Sequence, residues 1–492
     1  MRNRRFFLTQ IVKLLLQSIL YILLFSAFFG FQSISNPQIL NLSRTAVTTM
    51  VAFCLSTLTL SAVYGGFDIG IRKRRSVLSS MSLTFFFTDI VTYLFLQIMN
   101  VNPQNPEANQ RLMLWGEDFL WLIAAIAVQL VLIYLFVTIG HRLYYRINPP
   151  QRSLIITSSQ ELANQVARKL ESYRARYQLC EVIHYECPDV KKTILEHEVI
   201  FLAGIPDTEE GLLEAYCYKH HRSIYLMAEL EDVIISTAES AILDDMPFLS
   251  IHRVEPTIMQ RFFKRLIDIV CSLSGLIITS PILLITALLI KLTDNGSVFF
   301  RQKRATIDGK VFEIVKFRTM YEQDRDVEQY SAQKDDARVT PLGNFLRKYR
   351  IDELPQLYNV LKGEMSMVGP RPEMLENVDK YTREVPEFRY RQQMKAGLTG
   401  LAQIEGKYNT SPKDKAMLDL LYIEQFSLAQ DFKLMLRTLT VFFRRDSTEG
   451  FGEVTSNCPK MRVTAKERPE SSVPAKANGV PKKDETPMRT AL

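Results

Sequence analysis

Apolar residues dominate the first part of the chain in long blocks that polar residues separate. Four blocks lie before residue 148, and each approaches the ~20 residues that a helix needs to cross a bilayer. They are Ile11–Phe31, Ala46–Tyr64, Val77–Met99 and Phe119–Ile139. The pattern predicts a membrane protein with four transmembrane helices in residues 1–147. The only acidic residue within the blocks is Asp89. One acid offers few groups to line a transport pathway, so we interpret the helices as anchors. A transporter centred on Asp89 is the alternative.

The basic residues between these blocks predict how the chain is oriented in the membrane. Four basic residues follow the second block at 72–75, and Arg142 and Arg146 follow the fourth, whereas the loops 32–43 and 100–116 carry little basic charge. Because basic loops favour the cytoplasmic side, we expect the N-terminus and everything after the fourth block in the cytoplasm. The net charge of +7 suits an anionic membrane surface better than nucleic acid, since the basic residues flank apolar blocks.

Residues 151–254 alternate between short strand patterns and helix patterns, which is typical of a small Rossmann-like α/β domain. The expected elements are strands at Leu154–Thr157, Val199–Leu202 and Ser223–Leu226, a helix to Tyr173 capped by Ser158 or Ser159, and a helix at Glu209–Tyr218. The turn after the first strand has no G-x-G-x-x-G, so the fingerprint of dinucleotide binding is absent. A structural or regulatory role therefore fits this domain better than nucleotide binding.

Another long apolar run, 266–290, is interrupted in its middle by Ser280 and Pro281. Proline removes a backbone donor and clashes with the preceding turn, so it kinks or breaks a helix. Basic residues lie at both ends of the run: Arg261, Lys264, Arg265 and Lys291. Because positive charge at both ends favours one side of the membrane, we predict a re-entrant helix that leaves the following domain in the cytoplasm. A kinked fifth span is the alternative.

Residues 261–445 are predicted to form a mostly helical catalytic domain around the adjacent carboxylates Asp352 and Glu353. Short helices are expected on both sides of this pair, over Leu342–Tyr349 and over Gln356–Leu361. The carboxylates would then lie at a helix N-terminus, where free N–H groups and partial positive charge favour anions. Taken alone, Asp352 could be merely an N-cap.

Further elements are expected before and after this pair. Strand-like runs at Val298–Gln302 and Val311–Val315 precede the polar stretch Tyr321–Arg338, which is expected to be a mobile loop or a solvated helix. Asp431–Arg445 has the pattern of an amphipathic helix that can lie at the level of the lipid headgroups. The tail, 446–492, is rich in Pro, Lys, Glu and Ser and is predicted to be disordered.

The residue types available within 261–445 restrict the chemistry. This part contains no histidine, and the six cysteines of the chain show no C-x-x-C spacing, so we expect no histidine base, zinc site or disulfide framework. A carboxylate nucleophile on phosphorus would give an acyl phosphate. The cations available to offset a diphosphate are Lys316, Arg318, Arg347 and Arg371. Mg²⁺ would complete such a site through carboxylate and phosphate oxygens.

Four motifs occur here in order: Lys316–Met320 (KFRTM), Asp352–Leu357 (DELPQL), Gly369–Pro372 (GPRP) and Gly397–Gly400 (GLTG). Through these motifs, residues 261–445 resemble the bacterial sugar transferase family, the monotopic polyprenyl-phosphate phosphoglycosyl transferases. The apolar run broken at Ser280-Pro281 is similar to the re-entrant membrane helix of that family. By layout, the preceding helices and α/β domain resemble the large, WbaP-type architecture of undecaprenyl-phosphate glucose or galactose phosphotransferases. One departure is Leu401, where many members carry tryptophan.

The resemblance implies a two-step transfer. Asp352 would attack the β-phosphate of a UDP-sugar, release UMP and hold the phosphosugar covalently until undecaprenyl phosphate takes it. Glu353 would assist as a metal partner or as a base, and Mg²⁺ would lie near Asp352. The substrate-binding residues that the resemblance implies are Lys316, Arg318, Arg347, Arg371 and Gln403.

The step implied is the first membrane-bound one in making a capsule, an exopolysaccharide or an O-antigen, on the cytoplasmic face of the bacterial inner membrane. The partners would be the UDP-sugar, undecaprenyl phosphate and membrane lipid, and the added domains could supply the surface of a homodimer. No nucleic acid is expected. A second hypothesis is a membrane-anchored regulatory protein whose α/β domain senses a metabolite. The sequence does not select the sugar.

Overall fold

The computed structural model describes residues 2–41, 43–70, 72–99, 116–253, 255–294, 296–321, 338–406, 410–441 and 458–462. The chain divides into two compact units. One contains Met1–Pro149 and Ala228–Val454, and the other contains Pro150–Met227 and Thr455–Leu492. The α/β unit therefore ends at Met227, before the sequence-based boundary at 254. The first unit combines the N-terminal helices with the domain of the carboxylate pair.

The N-terminal helices are α1 (Arg2–Ser35), α2 (Arg44–Tyr64), α3 (Arg74–Met99) and α4 (Glu117–Ile147). Their common core consists of apolar side chains from all four helices, while many other apolar side chains remain exposed. Such helices, apolar on both the packed and the outer faces, are typical of membrane bundles. Within the described residues, five helices are long and apolar enough to cross a membrane, these four and one later helix.

Asp89 lies fully buried inside this bundle. Gln129 of α4 donates through Nε2 to Asp89 Oδ1 of α3 (3.2 Å) and to the backbone oxygen of Leu24 in α1 (3.0 Å). The acid is thus part of a polar contact that joins three helices, which is a role compatible with an anchoring bundle.

The second unit is a parallel sheet of strand order β2-β1-β3-β4 with helices between the strands. Its elements are β1 (Gln151–Thr157), α5 (Gln160–Glu171), β2 (Tyr177–His184), α6 (Val190–Glu196), β3 (Val199–Ala203), α7 (Asp207–Lys219) and β4 (Ser223–Leu226). The Ser159 hydroxyl caps α5 by accepting a hydrogen bond from the Leu162 N–H. Of the two caps that the sequence allowed, Ser158 and Ser159, the structure therefore has Ser159. Strand β2 was not predicted from the sequence, because Gln178 and Glu181 interrupt its apolar residues, so that it does not read as a buried apolar run.

Five residues of the C-terminal tail, 458–462, pack against this sheet. Arg462 pairs with the outer edge of β2: its N–H donates to Val182 O and its carbonyl accepts from His184 N–H, both at 3.0 Å. The Met461 N–H donates to Gln160 Oε1 at 2.7 Å. The prediction of disorder is therefore wrong for 458–462, because these residues add to an open sheet edge. The remainder of the predicted tail lies outside the described residues.

The rest of the first unit begins with α8 (Leu230–Ile235) and a β-hairpin, and then forms the domain of the carboxylate pair. Its elements are β5 (Glu239–Leu243), β6 (Met246–Ser250), α9 (Ile258–Asp294), β7 (Phe299–Ala305), β8 (Val311–Phe317), α10 (Pro341–Lys348), α11 (Gln356–Lys362), β9 (Ser366–Val368), α12 (Leu375–Glu384), β10 (Gly397–Thr399), α13 (Leu401–Glu405), α14 (Pro412–Glu424) and α15 (Leu428–Val441). The predicted strands and the two short helices around Asp352 are present.

Some predictions for this domain fall outside the described residues. Of the expected mobile loop Tyr321–Arg338, only its two end residues are described, and they pair through Tyr321 N–H and Arg338 O at 3.0 Å. The amphipathic helix expected at Asp431–Arg445 begins earlier, as α15, and the part after Val441 is outside the described residues.

Helix α9 carries the predicted re-entrant segment, and it continues through Pro281 as one uninterrupted helix. Proline lacks the N–H that would bond to the Ile277 carbonyl; instead, the Ser280 hydroxyl donates to that oxygen at 2.8 Å. A Ser/Thr side chain can satisfy a carbonyl that proline frees. The proline therefore does not end the helix, and the re-entrant path of this run stays a prediction.

Both halves of α9 nevertheless contact the same domain. In the first half, Arg265 donates to the carbonyls of Val360 and Leu361 in α11, both at 2.7 Å. In the second half, Ile290 packs in a buried cluster with Phe317 and Leu346. The domain is thus attached to α9 on both sides of the proline.

Candidate active site

The two carboxylates lie in a single 3₁₀ turn, Ile351–Glu353, between α10 and α11. Arg350 precedes the turn with a left-handed backbone (φ 55°), which reverses the chain at the end of α10. The N-cap of α11 is Pro355, so the interpretation of Asp352 as an N-cap is wrong. The turn therefore leaves the Asp352 carboxylate available for another role.

Glu353 is held by two cations from different parts of the domain. Its Oε1 accepts from Lys316 Nζ of β8 at 3.0 Å and from Arg371 Nη2 at 2.7 Å. Burial would raise the pKa of Glu353, but Arg371 and Lys316 outweigh it and hold the pKa well below its usual range. Burial in turn lowers the pKa of Lys316, against the opposing effect of Glu353. Glu353 is therefore a fixed anion at neutral pH.

Asp352 has a different environment from its neighbour. Burial and the adjacent Glu353 carboxylate raise the pKa of Asp352 to about 6. The cations that oppose this rise are Lys316, Arg347 and Arg371. Within the described part of the chain, no side chain or backbone group hydrogen bonds to the Asp352 carboxylate. It is thus an ionisable carboxylate beside a second carboxylate that is already paired.

Helix α10 directs Arg347 toward the pair. Its Nε donates to the Thr319 hydroxyl, which lies just after β8, at 2.8 Å. The approach of α10 to this segment depends on Gly343, since a Cβ there would lie 2.0 Å from the Thr319 carbonyl oxygen. Close packing of a helix on a neighbouring backbone requires glycine at such a contact.

The strand before Arg371 is anchored to α9. Asp268 Oδ1 accepts from the Ser366 hydroxyl (2.9 Å) and from the Met367 N–H (2.8 Å) of β9. Lys264 Nζ donates to the Val368 carbonyl at 2.9 Å and pairs with Asp431 at 2.5 Å. The membrane-associated helix therefore fixes the strand from which Arg371 emerges.

Three of the five predicted substrate-binding residues, Lys316, Arg347 and Arg371, belong to the group around the carboxylates. Arg318 is buried directly after β8, and its N–H donates to Val298 O, but it does not hydrogen bond to Glu353. Gln403 lies in the short helix α13, and its N–H donates to Gly400 O. Neither residue therefore belongs to the ion-paired group that the described residues form around Glu353.

The predicted site residues did not include three arginines of this domain: Arg304, Arg350 and Arg391. Arg350 interacts electrostatically with both carboxylates. Its position two residues before Asp352 was the sequence feature that could have identified it. Arg304 of β7 donates to the Pro372 carbonyl at 3.3 Å, and burial lowers its pKa to about 10. Arg391 donates to the Arg371 carbonyl at 2.8 Å. Neither Arg304 nor Arg391 lies in a motif that points to phosphate chemistry.

Together with the phosphates of a substrate, the described residues around Asp352 fit a Mg²⁺ site. In the described ranges, no group of three His, Cys, Asp or Glu side chains is arranged to bind a metal ion. Mg²⁺ commonly takes one or two carboxylates and completes its shell with phosphate oxygens and water. The unpaired carboxylate of Asp352 fits that pattern, whereas the Glu353 carboxylate is occupied by Lys316 and Arg371.

Comparisons with known proteins cover the domain that carries this site. The sequence model of the family described as "Bacterial sugar transferase" matches residues 259–445. The chain is 35% identical over 241 residues to the UDP-N-acetylgalactosamine-undecaprenyl-phosphate N-acetylgalactosaminephosphotransferase of Aeromonas hydrophila, a match that covers 48% of this chain and 55% of that protein. It is 35% identical over 226 residues to the undecaprenyl-phosphate galactose phosphotransferase of Salmonella typhimurium, a match that covers 41% of this chain and 46% of that protein.

The match to a shorter relative extends over most of that relative. The chain is 40% identical over 189 residues to the UDP-glucose:undecaprenyl-phosphate glucose-1-phosphate transferase of Caulobacter vibrioides, covering 37% of this chain and 71% of that protein. Against the relatives from Aeromonas and Salmonella, the chain spans about half of their length. From the extent of these matches, the chain belongs to the bacterial sugar transferase family.

Proposed function

We propose that this protein transfers a sugar 1-phosphate from a UDP-sugar to undecaprenyl phosphate, with Asp352 as the covalent nucleophile. The observation that carries the proposal is the pair of unlike carboxylates. Glu353 is neutralised by Lys316 and Arg371, while the adjacent Asp352 has a raised pKa and no hydrogen-bond partner within the described residues. A group of cations beside a free carboxylate suits attack on a diphosphate.

In the first step, an Asp352 oxygen forms a bond to the β-phosphorus of the UDP-sugar. The bond between that phosphorus and the bridging oxygen breaks, and UMP leaves with the bridging oxygen. In the second step, a phosphate oxygen of undecaprenyl phosphate attacks the same phosphorus and the aspartyl oxygen leaves as carboxylate. The product is undecaprenyl diphosphate carrying the sugar. Each step exchanges one P–O bond for another, so no oxidant or reductant is required.

The residues around Asp352 divide the remaining work. Arg371 and Arg347 are proposed to bind the phosphates of the donor, because a guanidinium can contact two phosphate oxygens together. Glu353 keeps Lys316 and Arg371 in place. Mg²⁺, when bound at Asp352 and the diphosphate, would neutralise charge on the phosphate oxygens. Arg318 and Gln403 are proposed as further donor contacts.

The proposed setting is the cytoplasmic face of the bacterial inner membrane. The four N-terminal helices anchor the chain, and α9 enters the membrane and returns. The curated relatives act on N-acetylgalactosamine, glucose and galactose donors, so similarity alone does not choose the sugar. We propose glucose or galactose and a role in starting a capsule, exopolysaccharide or O-antigen.

The test is UMP release by Asp352→Asn in membranes supplied with undecaprenyl phosphate, Mg²⁺ and a panel of UDP-sugars. The amide keeps the shape of the side chain but is a poor nucleophile, so we expect a loss of at least about 1,000-fold. The matched control is Asp379→Asn, an exposed aspartate of α12 in the same domain. Wild-type rates of UMP release by Asp352→Asn would refute the assignment of the nucleophile.

A further inference from the structure

The segment 369–373, here called the Arg371 loop, is held mainly through its carbonyl groups, besides the Gly369 N–H, which donates to Thr399 O at 2.9 Å. The Pro370 carbonyl accepts from Gly397 N–H at 2.9 Å, and the Glu373 carbonyl accepts from Ala305 N–H at 3.3 Å. Two of its five residues are prolines and have no N–H to donate. The orientation of the Arg371 side chain therefore depends on what binds the carbonyls around it.

The carbonyl of Arg371 itself is bound by the side chain of Arg391. Arg391 lies in the 3₁₀ segment Pro386–Gln393 and is only 5% exposed. Its Nη2 donates to Arg371 O at 2.8 Å and forms an ion pair with Asp419 of α14, 2.6 Å from Oδ2. Its Nη1 lies 3.6 Å from Glu373 Oε1, at the end of the same loop. One guanidinium thus joins the loop to a carboxylate on a separate helix.

The partner of this guanidinium is even more deeply buried, since Asp419 is 1% exposed. A buried ion pair is a weak source of stability, because the cost of removing both charges from water can exceed their attraction. What it does supply is a fixed direction for the donor groups of the arginine, and here one of those groups points to the backbone of Arg371. The Phe388 ring, 4.7 Å from the guanidinium carbon, restricts the arginine further.

We infer that Arg391, oriented by Asp419, is a positioning residue that holds Arg371 against Glu353 in the proposed transfer reaction. The inference rests on the proposed function, since it concerns the same site. Arg371 is fixed at both ends: its carbonyl binds Arg391, and its Nη2 lies 2.7 Å from Glu353 Oε1. A displacement of about 1 Å at such a residue can cost roughly 100-fold in rate.

The kinetic test compares two variants that disturb the contact between Arg391 and the Arg371 loop with a matched control. Arg391→Lys keeps the charge but cannot bridge both acceptors, and the double variant Arg391→Met with Asp419→Asn removes both charges together and so avoids a lone buried ion. We expect each to lower kcat/KM for UMP release by roughly 10- to 100-fold. Arg389→Met, an exposed arginine of the same segment, should retain wild-type rates.

The distinguishing measurement is a double-mutant cycle with Arg371→Ala. If Arg391 acts through Arg371, the Arg391 variants should cost little more once the Arg371 side chain is gone. If the Arg391 variants lower kcat/KM by the same factor in the Arg371→Ala background as in the wild type, the inference is overturned, while the proposed function stays intact.

Amide hydrogen exchange provides a readout that does not depend on activity. In the Arg391 variants, peptides that cover the Arg371 loop should exchange faster, while the α11 peptides keep their protection. Unchanged exchange in the loop would contradict the positioning role, even if the chain released no UMP from any donor. The absence of UMP release by the wild-type protein would instead count against the proposed function.

Discussion

At the scale of single residues, two neighbouring carboxylates in one turn acquire opposite properties from their surroundings. Glu353 accepts from Lys316 and Arg371, and its pKa is held low despite burial. Asp352 is also buried, and the negative charge of Glu353 lies beside it, so its pKa rises to about 6. Separation of the pKa values of two adjacent acids is a common way to give them different roles.

The raised pKa of Asp352 predicts the pH dependence of the reaction. An acid with a pKa of about 6 is roughly one-tenth ionised near pH 5 and nine-tenths ionised near pH 7. Because the ionised form is the proposed nucleophile, kcat/KM for UMP release at fixed Mg²⁺ should rise across this interval and level off above it. The measurement is the initial rate over a series of buffers, with Asp379→Asn as the control. A rate that stays constant down to about pH 5 would exclude Asp352 as the titrating nucleophile.

At the scale of elements, α9 combines a membrane-length apolar run with close contacts to the catalytic domain. Its exposed side chains include Ile278 (75%) and Leu284 (72%), on either side of Pro281, which suits contact with lipid. Arg265 and Ile290 join the two halves to the same domain. The Ser280 hydroxyl compensates the carbonyl that the proline frees, so the helix can contain Pro281 without an unpaired Ile277 oxygen.

A re-entrant α9 predicts that both of its ends face the cytoplasm. In a background without the native cysteines, Thr293→Cys should resist an impermeant maleimide added to intact cells and react in inside-out vesicles. Glu255→Cys, an exposed site before the helix, should behave in the same way. Labelling of Thr293→Cys from outside intact cells would show that α9 crosses the membrane.

At the scale of the whole molecule, the chain builds its α/β unit from two distant segments. The unit takes Pro150–Met227 and then the described tail residues 458–462, with the catalytic domain lying between them in the sequence. Cys458 and Met461 pack against the cluster beneath α5, and Gln160 binds the tail backbone at Pro459 and Met461. An edge strand is thereby partly covered, which protects it from pairing with other chains.

The pairing of the tail predicts a local change when it is removed. Arg462→Pro deletes the N–H that donates to Val182 O, and truncation after residue 454 removes the whole contact. Loss of a backbone hydrogen bond of about 1 kcal/mol corresponds to roughly fivefold faster exchange, so the His184 amide should lose at least that much protection. Lys460→Ala, an exposed position between the contacts, is the control. Equal protection of His184 in the truncated chain would show that the contact does not form in solution.

Much of the fold and part of the site follow from the sequence alone. The apolar blocks predict the helices α1–α4 because their length and composition leave few alternatives, and the strand–helix alternation predicts the α/β unit. The motifs around Asp352 predict Lys316, Arg347 and Arg371, and the structure brings all three to the carboxylate pair. These are local or compositional properties, and one stretch of sequence is enough to display them.

Other features were decided only by tertiary structure. The Arg391–Asp419 pair, the return of 458–462 to the edge of β2, and the unlike pKa values of Asp352 and Glu353 all depend on residues that are distant in sequence and meet after folding. The path of α9 through Pro281 likewise depends on a hydroxyl that happens to satisfy the freed carbonyl. Burial and pairing set the free energy of a charged or polar group, and a sequence pattern does not specify either of them until the chain is packed.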